Sequence, residues 1–122
     1  MTLVEFVPPT SHPLWELCPQ MGITDVIVKV NPELTGLADP WRYETLSFIV
    51  SRLKSAGLNV VGLEGDPFDM TPIKENPAAL REKALSHYRE LLESMGRLGI
   101  KLLCYNFMVG NGWSRTGVRE GR

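Results

Sequence analysis

A pattern recurs three times along this chain: a helical stretch ends in glycine, and an apolar run follows at once. The glycines are Gly22, Gly57 and Gly99, at intervals of 35 and 42 residues. Glycine just after a helix adopts the left-handed conformation without a steric penalty from a Cβ atom. Each interval has room for one strand, one helix and two loops. The pattern therefore predicts repeated β-α units.

The apolar runs after these glycines have the composition of buried parallel strands. They span 25–30, 59–64 and 101–107, and a fourth run, 3–7, opens the chain and is stopped by two prolines. Short, nearly continuous runs of Val, Ile and Leu are typical of parallel strands that helices cover. We therefore expect four parallel strands.

Three helices are predicted between the strands, because apolar residues recur there every three or four positions. The clearest runs from Ala78 to Leu98 and begins at Asn76-Pro77, a favourable helix start. Its apolar stripe comprises Leu80, Ala84, Tyr88, Leu91, Met95 and Leu98, widened by Leu85 and Leu92. A second helix covers 43–56 after Asp39-Pro40, and a shorter one covers 13–21.

The predicted order is β-α-β-α-β-α-β, which means a parallel sheet flanked by helices. Two architectures fit this order. An open doubly wound sheet is complete as one domain at 122 residues, whereas a (β/α)8 barrel usually needs about 250 residues. We expect residues 1–122 to form one unit with about four strands and three helices and no second domain.

Charge and composition exclude several classes of protein. The chain has 13 basic and 14 acidic residues, 43% hydrophobic and 22% charged residues, and a net charge of −1. These values are those of an ordinary globular protein. Binding to nucleic acid through phosphates needs a surplus of Lys and Arg, so we expect no nucleic-acid partner.

Cysteine usage and hydropathy indicate the compartment. Cys18 and Cys104 lack the spacing of a metal or redox motif, which favours free thiols in a reducing cytosol. No apolar run approaches the roughly 18 residues of a membrane span. The opening residues also lack the charged and apolar regions of a signal peptide. We expect a cytoplasmic protein without a membrane partner.

Polar side chains cluster where the predicted strands end. These residues are Lys29, Asn31, Glu64, Asp66, Tyr105 and Asn106, with Trp113 and Arg115 in the loop after the last strand. Parallel strands bring such residues to one edge of the sheet, the mouth of the fold, where the ligand-binding sites of α/β folds lie. The mixture suits a small hydroxylated or carboxylated ligand: Arg115 is able to clamp a carboxylate with two hydrogen bonds, and Glu64 to accept them from sugar hydroxyls.

Structural roles are an alternative for these residues: Tyr105 in the core, Glu64 in a turn, and Arg115 as a solvated charge. The Gly- and Arg-rich segment 108–122 is either a tail or, as we expect, a functional loop at the mouth. The two histidines fit no metal pattern. We interpret His12 as a solvated loop residue and His87 as a helix-packing residue.

Two blocks near the end of the chain resemble the mannonate dehydratase family. The segment 99–108 reads G-I-K-L-L-C-Y-N-F-M, and 113–116 reads W-S-R-T. The family is similar in carrying G-I-x-x-x-C-Y-N-F-M at a strand end, followed by W-[ST]-R-T. Looser agreement upstream includes Ala56-Gly57-Leu58 before a strand that ends in Glu64. The resemblance covers about residues 20–122.

The resemblance implies a fold and an activity. The fold is a xylose-isomerase-like (β/α)8 TIM barrel, of which this chain is the N-terminal half. The activity is the removal of water from D-mannonate to give 2-keto-3-deoxy-D-gluconate in hexuronate catabolism, with Mn²⁺ or Fe²⁺. The resemblance also implies substrate-binding residues, with no catalytic residue assigned. They are Asn106 and Arg115 as ligand contacts, Trp113 as a wall of the pocket, and Tyr105 and Glu64 at strand ends.

The metal ligands implied by the resemblance are His, Cys and Asp residues on later strands, including a His-Pro-Asp-Asp segment absent from this sequence. Cys104 belongs to the C-Y-N-F-M run and is not the metal-binding cysteine. We therefore expect a fragment of the lyase that is inactive alone. Two alternatives remain: another sugar-acid or sugar-phosphate isomerase or epimerase of this barrel type, and a half-barrel that self-associates or pairs with a completing C-terminal half.

Overall fold

The computed structural model describes residues 1–75 and 78–106. The strands are β1 (Val4–Phe6), β2 (Asp25–Val28), β3 (Asn59–Glu64) and β4 (Leu102–Cys104). The helices are α1 (Leu14–Gln20), α2 (Pro32–Thr35), α3 (Tyr43–Ser55), α4 (Thr71–Lys74) and α5 (Ala78–Arg97). No helix among these residues combines the length and apolarity needed to cross a bilayer.

The predicted α/β class and order of elements are confirmed. Three strands are shorter than their apolar runs. Strand β1 covers 4–6 of 3–7, and β2 and β4 end at Val28 and Cys104, their last residues that pair with β3. Helices α2 and α4 were not predicted. Each has four residues and begins with a proline in its first turn, so neither is long enough to show apolar periodicity.

The strand order decides between the two architectures. All pairs are parallel and the order in the sheet is β1-β2-β3-β4, so each strand lies beside its neighbours in sequence. Right-handed crossovers between such strands all fall on the same side of the sheet. A doubly wound sheet instead reverses its strand order at a switch point. The fold is therefore of the barrel type, and within the described residues helices cover one face of the sheet and leave the other open.

The core lies between the helix-covered face of the sheet and helices α1, α3 and α5. Alternate strand residues point into it, and both helical stripes contribute their middle positions. The fully buried or nearly buried members include Val26, Val28, Val60, Leu63, Leu46, Ile49, Leu53, Ala84, Leu91 and Met95. Leu80 and Leu92, predicted as part of the α5 stripe, are 56% and 45% exposed. Leu80 is exposed because it lines an open cavity instead of packing in the core.

The open face carries apolar side chains in register. Phe6 pairs with Ile27, Ile27 with Gly62, and Gly62 with Leu102, which makes one row across all four strands. Phe6 is 40% and Leu102 43% exposed. In a closed barrel, residues in this position form the packed interior. This face is therefore the one that a complete barrel would bury.

Candidate functional site

The loops after β2, β3 and β4 are joined at the carboxyl edge of the sheet. The Gly65 amide donates a 2.8 Å hydrogen bond to the Cys104 carbonyl oxygen. The Asn31 side-chain amide donates one of 2.5 Å to the Asp66 carbonyl oxygen. Gly65 has φ of +79°, a left-handed conformation that glycine adopts without strain. These bonds bring together the strand-end residues predicted from the sequence, and we call this edge the mouth.

An ion pair and a buried amide oxygen also lie at the mouth. The Asp66 carboxylate forms an ion pair with the Lys74 ammonium from α4. Asn31 Oδ1 is buried and has no hydrogen-bond partner among the described residues. Burial, together with the nearby Tyr105 and Asp66, raises the pKa of the Tyr88 phenol on α5.

Three of the predicted substrate-binding residues lie at the mouth. Glu64 is the last residue of β3, is partly buried, and pairs in register with Cys104. Tyr105 and Asn106 follow β4 directly; Tyr105 is 65% exposed, so it is not a core residue, and Asn106 is partly buried. Trp113 and Arg115, with the rest of the predicted loop, lie outside the described residues.

An aromatic cluster beside the mouth was not predicted. The Trp41 and His87 rings stack with centroids 3.8 Å apart and planes 6° from parallel. Phe68 meets Trp41 edge-on at 5.2 Å. The cluster lines a cavity of about 380 Å³, whose charged lining residues are Glu33, Asp69 and Lys83. Helical spacing from Ala84 to Leu91 offers a signal that His87 packs, but no local signal identifies Trp41 as its partner.

The second histidine has a local role. His12 is exposed, and its Nδ1 accepts a 3.1 Å hydrogen bond from the Leu14 amide at the start of α1. Close by, the Trp15 indole donates a 2.9 Å hydrogen bond to the Pro8 carbonyl oxygen. Both bonds hold the loop between β1 and α1.

The described residues do not fit a divalent-metal site. Within 1–75 and 78–106, no group of three or more His, Cys, Asp or Glu side chains is close enough to hold a metal ion. Both cysteines are free thiols, Cys18 buried and Cys104 exposed. Burial, and to a lesser extent Glu5, raises the pKa of Cys18. No catalytic step through a metal follows from this part of the chain.

The sequential parallel strands, the single helix layer and the polar mouth define a protein of the β/α-barrel class. Within that class, the model of the family D-mannonate dehydratase (UxuA) matches residues 14–121. The chain belongs to this family.

Individual relatives agree with the family match. The mannonate dehydratase of Brachyspira hyodysenteriae is 32% identical over 101 residues, which are 83% of this chain and 27% of the relative. Mannonate dehydratase 2 of Agrobacterium fabrum is 30% identical over 100 residues, 82% of this chain and 24% of the relative. The chain thus spans about a quarter of the length of these curated relatives.

A solved structure shows the same fold. The crystal structure of mannonate dehydratase from Streptococcus suis serotype2 superposes with a TM-score of 0.72 at 23% identity. The match covers 94% of this chain and 32% of that chain. The coverage is consistent with a unit that forms part of a barrel.

Proposed function

We propose that this chain is part of a cytoplasmic hydro-lyase that removes water from D-mannonate to give 2-keto-3-deoxy-D-gluconate in hexuronate catabolism. The observation that carries the proposal is the family match over residues 14–121, which includes the whole mouth and both motif blocks. The proposal includes further β/α units of the same protein that cover the open sheet face. The partial coverage of relatives supports that completion.

The residues of this chain would bind and orient the sugar acid. Glu64 at the end of β3 accepts hydrogen bonds from sugar hydroxyls, and the Asn106 amide both donates and accepts them. Arg115 is suited to the carboxylate by its planar guanidinium. Their placement on neighbouring strands supports a shared ligand for Glu64 and Asn106.

Dehydration also needs a divalent cation, which the side chains of residues 1–75 and 78–106 are not arranged to hold. Removing a proton next to a carboxylate builds up negative charge, which a divalent metal stabilises. We propose Mn²⁺ or Fe²⁺, with ligands outside the described residues and outside this sequence. The 122 residues alone are accordingly proposed to be inactive.

Product formation tests the proposal. The 122-residue chain and the full-length protein from its source cell, identified by peptides of this chain, are incubated with D-mannonate and Mn²⁺, and the 2-keto acid is measured. We expect product from the full-length protein only. Turnover by the purified chain alone would contradict the inactivity, and isomerisation without loss of water would favour a sugar-acid isomerase.

Two variants of the full-length protein test the mouth. Asn106→Ala removes an amide from the mouth. The Michaelis constant for D-mannonate should therefore rise about tenfold, which is the effect of losing one or two hydrogen bonds. Asn59→Ala is the matched control, because Asn59 lies at the opposite end of β3 and bonds to Asp25 at 3.0 Å. Equal effects of the two changes would remove Asn106 from the site.

A further inference from the structure

Lys29 lies at the mouth on the open side of the sheet. It follows β2 directly, and successive strand residues point to opposite faces. Val28 and Val30 are buried in the core beneath the helices. Lys29 therefore projects, like Ile27, from the open face.

The Lys29 side chain lies between Phe6 of β1 and Gly65, the residue that follows β3. A Cβ atom built at Gly65 would lie 3.3 Å from Lys29 Cε, so the absence of a side chain at Gly65 makes room for the lysine. The ammonium lies 5.8 Å from the centroid of the Phe6 ring, within range of a cation–π interaction. The charge is thus held above the apolar row of the open face, at the carboxyl end of the strands.

The ammonium has no anionic partner among residues 1–75 and 78–106. The ion pairs there join Arg42 to Asp39 and Lys74 to Asp66, and no carboxylate lies within 4.0 Å of Lys29 Nζ. Asp66, which follows Gly65 in the mouth, is already neutralised by Lys74. A partly buried cation without a counter-ion favours binding of an anion.

We propose that Lys29 binds the carboxylate of an anionic substrate at the mouth. The identification of this anion as a sugar acid rests on the proposed function. An ammonium on a flexible stem, resting on Phe6, is a point charge that forms a charge-assisted hydrogen bond with a carboxylate oxygen. Lys29 would therefore distinguish an aldonate from the corresponding neutral polyol.

Binding measurements with two matched ligands test this assignment without catalysis. The full-length protein and its Lys29→Met variant are titrated calorimetrically with D-mannonate and with D-mannitol, which lacks the carboxylate. Methionine keeps an apolar stem over Phe6 and removes the charge. We expect Lys29→Met to weaken D-mannonate binding about tenfold or more and to leave D-mannitol binding unchanged. Lys54→Met, at an exposed position near the end of α3, should bind D-mannonate as the wild type does.

The outcomes separate this inference from the proposed activity. Unchanged D-mannonate affinity in Lys29→Met, or no binding of an aldonate by the wild type, would overturn the role of Lys29. Charge-dependent binding without formation of the 2-keto acid would uphold Lys29 and refute the dehydratase activity. If Lys29→Met does not fold, ¹³C-dimethylation of the wild-type lysines gives a second readout. The Lys29 signal should shift with D-mannonate and not with D-mannitol, and an unshifted signal would overturn the role.

Discussion

Replacing Gly62 by alanine tests how closely β3 and β4 approach on the open face. The added Cβ would lie 3.0 Å from both Cβ and Cδ2 of Leu102 and 3.2 Å from its Cγ. The outer atoms are able to rotate away, because Leu102 is partly exposed. Its Cβ is attached to the backbone, so relief at that atom requires β4 itself to shift.

Two opposing effects set the size of the change in the free energy of unfolding. Overpacking a well-packed site costs about 1–3 kcal/mol. Alanine also restricts the unfolded chain, which stabilises the folded state by about 0.4–1 kcal/mol where the backbone conformation allows it. We therefore expect Gly62→Ala to lower the free energy of unfolding by about 1 kcal/mol. In a domain of this size, that corresponds to a Tm lower by about 4 °C.

Urea unfolding followed by circular dichroism measures the change. Gly96→Ala is the matched control, because Gly96 lies in α5 with no atom within 4 Å of its added Cβ; it should stabilise the protein by up to about 1 kcal/mol. Leu102→Ala removes the outer atoms, so it should relieve part of the cost of Gly62→Ala in the double variant. A Gly62→Ala protein as stable as Gly96→Ala would refute the close approach.

Four further outcomes are expected. Ser94→Ala removes a buried 2.8 Å hydrogen bond to the Trp41 carbonyl oxygen and should cost about 1 kcal/mol in urea unfolding. His87→Ala removes the ring stacked on Trp41; it should cost about 1 kcal/mol and shift the tryptophan fluorescence. Iodoacetamide should alkylate exposed Cys104 rapidly and buried Cys18 slowly, as read by mass spectrometry. Because the Cys18 pKa is higher in the folded protein than in the unfolded chain, its contribution to stability is present below the unfolded pKa and is lost as pH rises through the folded pKa.

Matched variants control for these changes. Ser55→Ala removes an exposed hydrogen bond to the Ser51 carbonyl oxygen within α3 and should change stability little. His12→Ala removes an exposed ring that accepts a hydrogen bond from the Leu14 amide, and it should change stability less than His87→Ala. If Ser55→Ala cost as much as Ser94→Ala, burial would not explain the effect. Equal alkylation rates for the two cysteines would contradict the burial of Cys18.

Local signals account for the parts of the fold that were predicted. Glycines with positive φ end α1, α3 and α5, as at Gly22 and Gly57, and apolar spacing identifies the buried faces of α3 and α5. The short helices α2 and α4 escaped prediction, because four residues cannot display a helical period. Leu80 was misassigned to the core, because periodicity gives the direction of a side chain and not the extent of the surface opposite it.

The candidate site likewise combines residues that were identifiable in the sequence with contacts that were not. Strand ends are local features, so Glu64 and Asn106 were identifiable in the sequence. The pairing of Trp41 with His87 was not, because these residues are distant in the chain and meet only when α5 packs against the segment before α3. Likewise, Lys29 was recognised as a polar strand end. Its orientation, its proximity to Phe6 and Gly65 and its lack of a carboxylate partner among residues 1–75 and 78–106 depend on the assembled sheet.

The amino-acid sequence by itself determined the alternation of strands and helices, the charge balance and the motif blocks of the family, because these depend on residues that are close together in the chain. Tertiary structure alone decided that the strands follow one another in the order β1-β2-β3-β4. In the part of the chain that the structure describes, that order leaves one face without helices and aligns the strand ends at a single mouth. Its physical cause is hydrogen bonding between segments separated along the chain, which no local periodicity encodes.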